Sequence, residues 1–148
     1  MYQRLKGQTA IITGGGQGLG EALALRLDKE GCNVVVADIN KEAAENVAAK
    51  LTNGAAFQVD VTNEEQVEKM VDFTVEKFGT LDLMVCNAAI LIAKPVTEFP
   101  ANEWRKMIDV NLTGYFLCAK AAARVMIPRK KGNIIQINSK SGKKGSYK

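Results

Sequence analysis

Residues 9–38, TAIITGGGQGLGEALALRLDKEGCNVVVAD, constrain the fold of this chain more than any other stretch. The apolar run from Ala10 to Ile12 is too short for a helix and is stopped by three glycines, so it predicts a buried strand. Apolar residues then recur at helical spacing from Leu19, which puts the glycines on the first turn of a helix. A Val-rich run that ends on Asp38 predicts a second buried strand. The stretch therefore predicts a strand, glycine turn, helix and strand in succession.

The glycine turn is suited to an anionic ligand. Glycines allow positive φ and close approach of the backbone, while the free N–H groups and the dipole of the helix favour a diphosphate. Asp38 follows about 20 residues later, where an acid accepts hydrogen bonds from the hydroxyls of an adenosine ribose. A 2′-phosphate would meet a like charge there, and only Lys41 follows as a partial substitute for arginine. The unit predicts a dinucleotide site and favours NAD over NADP; a βαβ unit without a ligand is the alternative.

The rest of the chain continues the alternation of strands and helices. The expected further strands cover residues 55–59, 81–86 and 133–137, and the expected helices cover residues 41–51, 64–78 and 101–126. We expect one α/β domain over residues 1–148, with a Rossmann-type doubly wound parallel sheet in three layers and the strand order 3-2-1-4-5. In such a sheet the residues that follow the strands meet at one edge, and ligands bind there.

Composition excludes several classes of function. The chain has no histidine, which excludes a Ser-His-Asp triad and any His-ligated metal site, and we expect no metal. Cys32, Cys86 and Cys118 have no CxxC spacing and are expected to be reduced core residues. No apolar run reaches membrane-spanning length and the N-terminus lacks a signal-peptide core, so we expect a cytoplasmic protein without membrane contact.

The net charge of +4 is unevenly distributed. Residues 129–148 carry seven Lys and Arg and no acid, whereas residues 1–128 carry 13 Lys and Arg against 16 Asp and Glu. Apart from Tyr147 there is little aromatic interleaving in the basic segment, so we do not expect a nucleic-acid partner. An anionic small substrate is the better functional interpretation, and a solvated loop is the alternative.

The motifs together resemble those of the short-chain dehydrogenase/reductase family. Thr13-Gly14-x-x-x-Gly18-x-Gly20 is similar to its cofactor glycine motif, and Asp60-Val61 to its adenine-pocket pair. Asn87-Ala88-Ala89 is similar to its Asn-Ala-Gly motif, although Ala89 adds a methyl where the family usually has glycine. The resemblance implies an NAD site formed by Gly14, Gln17, Gly18, Leu19, Gly20, Asp38, Ile39, Asp60, Val61, Asn87, Ala88 and Ala89.

The same resemblance identifies Asn111 and Ser139 as two catalytic residues. It implies that Ser139 hydrogen-bonds the developing oxyanion and that Asn111 interrupts the long helix and fixes a water that relays protons. The family's Tyr-x-x-x-Lys pair begins about a dozen residues after the serine, and none of the 148 residues fits it, since Tyr147 comes too early. We therefore expect the cofactor half of a short-chain enzyme, inactive by itself.

Within the family, residues 134–143 and 114–119 resemble the sorbitol 6-phosphate dehydrogenases. A small polyol or sugar phosphate is the expected substrate, with Lys140, Lys143 or Lys144 as phosphate ligands or merely as solvated loop residues. The alternatives are a 3-oxoacyl thioester reductase that uses NADP, a non-catalytic dinucleotide-binding module, and a methyltransferase or RNA-binding Rossmann domain. Apolar residues on more than one face of the long helix, together with the resemblance, imply a homodimer or homotetramer.

Overall fold

The computed structural model describes residues 3–139, and its centre is a five-stranded sheet. All four pairings are parallel, and the order is β3-β2-β1-β4-β5, as the sequence predicts. The strands are β1 (Thr9–Thr13), β2 (Asn33–Asp38), β3 (Gly54–Gln58), β4 (Leu83–Cys86) and β5 (Asn133–Gln136). The chain thus reverses its direction of travel across the sheet between β1 and β4, which creates a crevice at their carboxyl ends.

Helices cover both faces of this sheet. They are α1 (Gly18–Lys29), α2 (Lys41–Ala48), α3 (Glu64–Phe78), α4 (Ala101–Ile108) and α5 (Gly114–Met126). Asn40 and Asn63 cap α2 and α3 by accepting hydrogen bonds from the N–H groups of Ala43 and Gln66. Gly79 ends α3 with φ of 79°. In both helices the cap is the asparagine directly before the first helical residue.

Two apolar cores lie on opposite faces of the sheet, because successive strand residues point to opposite sides. On one face, Ile11, Val35 and Met84 pack with residues of α3 and α5. On the other face, Ile12 and Val36 belong to the cluster that includes Ala24 of α1 and Val47 of α2. The strands β1 and β2 are buried on both faces, which explains their continuous apolar sequences.

Several expected elements differ from the structure in their bounds, and the strands expected over residues 55–59 and 133–137 are Gly54–Gln58 and Asn133–Gln136. The helix expected over residues 41–51 ends at Ala48, and the strand expected over residues 81–86 begins only at Leu83. The helix expected over residues 101–126 is interrupted by a π-helical turn at Asp109–Thr113, which separates α4 from α5. A π turn holds one more residue than an α turn, so periodicity alone does not show it.

The strand β5 lies at the edge of the sheet, and all four of its residues are exposed. Ile134 and Ile135 are 36% and 45% exposed, respectively.

Among residues 3–139, no helix combines the length and the apolar character that a membrane span requires.

Candidate functional site

The glycine turn between β1 and α1 leaves no room for a side chain at Gly14 or Gly20. A Cβ on Gly20 would lie 2.1 Å from the carbonyl oxygen of Gly14, and a Cβ on Gly14 would lie 2.9 Å from Cα of Ala88. Gly14 and Gly18 have φ of 63° and 56°. The N-cap of α1, Gln17, makes no side-chain hydrogen bond to the helix end. The turn therefore offers backbone N–H groups and open space above Gly18, which is what a diphosphate needs.

Backbone hydrogen bonds hold the Asp38 carboxylate beside this turn. Gly16 N donates to Oδ2 at 2.9 Å, and Asn40 N donates to Oδ1 at 3.0 Å. A Cβ on Gly16 would lie 2.9 Å from Oδ2, so this contact also depends on a glycine. The carboxylate consequently has a fixed position at the end of β2.

The ends of β1 and β4 are joined by the side chains of Thr13 and Asn87. Thr13 Oγ1 accepts hydrogen bonds from Asn87 N at 3.1 Å and from Ala88 N at 3.2 Å. In return, Asn87 Nδ2 donates to the carbonyl oxygens of Thr13 at 3.0 Å and Gly14 at 3.1 Å. The segment Asn87 to Ala89 is thereby fixed against the glycine turn.

Asp60 follows β3 on the other side of the crevice. Its Oδ1 accepts hydrogen bonds from Thr62 N at 2.9 Å and Thr62 Oγ1 at 2.7 Å, and its own N–H donates to Gln66 Oε1 at 2.8 Å. These bonds anchor the turn before α3 and keep Asp60 and Val61 at the carboxyl edge of the sheet.

A cleft of about 960 Å³ runs along this edge. Its volume lies at the upper end of the range for small-molecule and cofactor sites. The twelve residues expected from sequence to bind the cofactor all line it: Gly14, Gln17, Gly18, Leu19, Gly20, Asp38, Ile39, Asp60, Val61, Asn87, Ala88 and Ala89. The cleft brings these residues together, and their role in binding stays a prediction.

The sequence interpretation missed one wall of this cleft. Asn102, Arg105, Lys106 and Asp109 also line it, from α4 and the π-helical turn. Their spacing of three, four and seven residues puts them on one helical face, which is the signal that could have identified them. Residues 105 and 106 add two cations to a cleft whose other charged groups are acidic.

Asn111 lies in the π-helical turn and is bonded to the loop that follows β4. Its Oδ1 accepts a hydrogen bond from Ile90 N at 2.9 Å, and its Nδ2 donates to Ile90 O at 2.8 Å. Lys94 and Glu103 form an ion pair at 2.6 Å between the same loop and α4. The expectation that the long helix is irregular at Asn111 agrees with the structure, and the side chain supports the loop.

A second cavity of about 390 Å³ brings Asn111 and Ser139 together. Ser139 lies beyond β5, where its N–H donates to Asn138 Oδ1 at 2.8 Å. Asn87, Ala88 and Ala89 line both cavities, so the two are neighbours. Lys140, Lys143, Lys144 and Tyr147 lie outside the described residues.

Comparisons with known proteins identify the family. A model of the short chain dehydrogenase family matches residues 8–148. Zerumbone synthase of Zingiber zerumbet is 40% identical over 143 residues, which are 93% of this chain and 54% of that protein. The (+)-borneol dehydrogenase 2 of Salvia officinalis is 41% identical over 141 residues, covering 92% of this chain and 50% of that enzyme.

Comparison with solved structures points to the same family. The crystal structure of a short-chain type dehydrogenase/reductase from Mycobacterium marinum superposes with a TM-score of 0.93 at 36% identity, over 97% of this chain and 60% of that one. The chain belongs to the short-chain dehydrogenase family. It spans about half the length of the curated relatives that it matches. Proteins of this family bind a nicotinamide dinucleotide, NAD or NADP.

Proposed function

We propose that the 960 Å³ cleft binds NAD and that this chain supplies the cofactor half of an NAD-dependent oxidoreductase acting on a small alcohol. The observation that carries the proposal is the glycine turn with the Asp38 carboxylate fixed beside it. The turn leaves no space for a side chain at Gly14 or Gly20, and the carboxylate is held by two backbone N–H groups. A diphosphate on the turn and a ribose on the carboxylate fit this donor and acceptor arrangement.

The choice of NAD over NADP rests on charge near Asp38. A 2′-phosphate beside this carboxylate would be repelled, and Lys41, the nearest cation in sequence, is paired with Glu45 at 3.7 Å. Arg105 and Lys106 on the α4 wall are the observation that favours the alternative, an NADP-dependent 3-oxoacyl thioester reductase. Direct comparison of the two cofactors distinguishes these functions.

The lining of the second cavity bears on the polarity of the substrate. Among the described residues that line it, none is charged. This lining favours an uncharged alcohol or polyol, as does the resemblance to a borneol dehydrogenase. A sugar phosphate such as sorbitol 6-phosphate would need cations from Lys140, Lys143 or Lys144.

The proposed chemistry takes its roles from the family resemblance. NAD would supply a hydride acceptor at its nicotinamide ring. Ser139 donates a hydrogen bond to the substrate oxygen as negative charge develops on it. Asn111 holds Ile90 and the loop of residues 87–100 in place, which shapes the boundary between the two cavities. By the family resemblance, the proton is taken by a Tyr-Lys pair that is not among these 148 residues.

Ligand-induced stabilisation tests the cofactor assignment without requiring turnover. A ligand that binds only the folded state raises Tm with its concentration relative to Kd. We expect NAD to raise Tm at concentrations where NADP does not, and the variant Asp38→Ser to reverse or abolish that preference. The matched control is Asp72→Ser, an exposed acid on α3 that is paired with Arg124. Equal stabilisation by both cofactors would contradict the NAD assignment.

A further proposal concerns self-association of the protein. Trp104, Leu112 and Phe116 are each 57% exposed along α4, the π-helical turn and α5, and we place them in a homodimer or homotetramer interface. The cytoplasmic location stays a prediction.

A non-catalytic dinucleotide-binding module is the alternative function, and it would show NAD binding with no oxidation of any alcohol.

A further inference from the structure

Two cysteine sulfurs meet at the second cavity. Cys86 ends β4 and Cys118 lies on α5, and both line the 390 Å³ space. Both are free and buried, with exposed fractions of 6% and 1%. The side chains of the two residues interact with each other through their thiol groups. The two residues are 32 positions apart in sequence, so the fold alone makes them a pair.

Hydrogen bonding between the two thiols makes the sulfurs chemically unequal. It lowers the pKa of Cys86, although burial acts in the opposite direction. The same bond, followed by burial, raises the pKa of Cys118 far above that of an ordinary thiol. Cys86 is also the more exposed of the two, at 6% against 1%, so it is the sulfur that an oxidant in the cavity meets first.

The third cysteine provides an internal comparison. Cys32 lies in the core on the opposite face of the sheet, and its thiol donates to the Leu5 carbonyl oxygen at 3.7 Å. Burial raises its pKa, with Asp82, Glu30 and Asp28 adding to the effect. Cys32 is not among the residues that line either cavity.

We propose that Cys86 and Cys118 form a dithiol modification site, which a peroxide entering the second cavity converts to a disulfide. In the first step the Cys86 thiolate attacks one peroxide oxygen, the O–O bond breaks, and a sulfenic acid and hydroxide form. In the second step the Cys118 sulfur attacks the Cys86 sulfur, an S–S bond forms, and water leaves with the Cys118 proton. In total, two thiols and one hydrogen peroxide give one disulfide and two waters.

The cross-link would tie the carboxyl end of β4, next to Asn87, to α5. Cys86 precedes the segment Asn87 to Ala89 directly and shares its cavity with Asn111 and Ser139. Under the proposed function this is the substrate side of the site, so oxidation would alter the substrate pocket. The thiol chemistry itself does not depend on that function, and its readout is separate from cofactor binding.

Thiol mapping after treatment of the full chain with hydrogen peroxide tests this proposal. Peptide mass spectrometry should find Cys86 linked to Cys118 and Cys32 still reduced, with Cys86 lost at least about tenfold faster than Cys32. Dithiothreitol should restore both thiols. In Cys118→Ala and Cys118→Ser, a dione probe should trap Cys86 as sulfenic acid, and no disulfide should form. The variant Cys32→Ala is the matched control and should form the link at the wild-type rate.

Three results would overturn the proposal. They are oxidation of Cys32 as fast as Cys86, a stable Cys86 sulfenic acid in the wild-type chain without a link to Cys118, and complete resistance of both thiols. None of these results bears on NAD binding. Conversely, a chain that forms the disulfide but is not stabilised by NAD would refute only the proposed function.

Discussion

Thr13 and Asn87 bind each other through both side chains, although 74 positions separate them in sequence. The hydroxyl of Thr13 accepts from the Asn87 N–H at 3.1 Å, and the Asn87 amide donates to the Thr13 carbonyl oxygen at 3.0 Å. The parallel pairing of β1 with β4 aligns the two strands, and these hydrogen bonds fix the segments that follow them. The geometry of the cleft therefore depends on one hydroxyl and one amide.

Replacing the hydroxyl of Thr13 should destabilise the fold. Thr13 is 1% exposed, and Thr13→Val keeps the shape but leaves the N–H groups of Asn87 and Ala88 without their acceptor. We expect a loss of about 2 kcal/mol in the free energy of unfolding, measured by urea denaturation. Thr13→Ser keeps the hydroxyl and should lose only about 1 kcal/mol for the methyl group. A smaller loss for Val than for Ser would refute this assignment of roles.

A methyl group in the glycine turn should weaken cofactor binding. In Gly20→Ala the new Cβ would lie 2.1 Å from a backbone oxygen, so the turn itself must move. We expect NAD affinity to fall by at least about tenfold, which is about 1.4 kcal/mol, as measured by calorimetry. Gly7→Ala is the matched control, since Gly7 has φ of 77° but no atom within 4 Å of the new Cβ. It should lose stability through backbone strain while retaining wild-type affinity.

Asp82 should make stability depend on pH at the opposite edge of the sheet. Its buried carboxylate accepts hydrogen bonds from Arg129 at 2.9 Å and from Thr9 N at 3.1 Å. Burial alone would raise the pKa of Asp82, but the Arg129 and Thr9 hydrogen bonds and the charges of Arg129 and Lys131 outweigh burial and lower it. A lowered folded-state pKa means that this stabilisation is present above the unfolded pKa and is lost as pH falls through the folded pKa.

The variant Asp82→Asn isolates that contribution. We expect its deficit in unfolding free energy to be largest near neutral pH and to shrink below about pH 4, where the unfolded carboxyl becomes protonated. Urea titrations at several pH values measure the difference. Asp72→Asn, which removes an exposed ion pair with Arg124, should change stability by no more than about 1 kcal/mol. A deficit for Asp82→Asn that grows towards acid pH would contradict the prediction.

A charge on the exposed apolar surface of α5 should weaken self-association. Phe116 and Leu112 are four positions apart and equally exposed, so they present a continuous apolar surface. We expect Phe116→Lys to shift the sedimenting species towards the monomer with little loss of fold. Val96→Lys is the control, since Val96 is 89% exposed on the loop before α4. If Phe116→Lys leaves the assembly unchanged, this surface is not the interface.

The sequence predicted the sheet order because strands alternate with helices along the chain, and such chains form parallel sheets with right-handed crossovers. Asn40 and Asn63 could be identified as caps because capping is a local interaction within four residues. The residues expected at the cofactor site all follow strands, and parallel strands bring their carboxyl ends together. Local patterns were therefore sufficient wherever a contact depended on strand direction alone.

Other contacts depend on how a helix is rotated about its axis. The α4 wall with Arg105 and Lys106 was missed, because helical spacing shows which residues share a face but not that this face meets the cleft. The pairing of Cys86 with Cys118 was missed for the same reason: it depends on the position of α5 across β4. The sequence indicated only that both cysteines belong to the core.

The π-helical turn at Asp109–Thr113 also sets the rotation of α5 relative to α4 about the helix axis. One extra residue in a helical turn rotates everything that follows by about 100° about the axis. The segment before the turn can therefore aim charged residues at the cleft while the segment after it aims Leu117, Cys118 and Ala121 at the core. Removing one residue from the turn would restore continuous α-helical winding. The residues of α4 and those of α5 could then no longer face the cleft and the core at the same time.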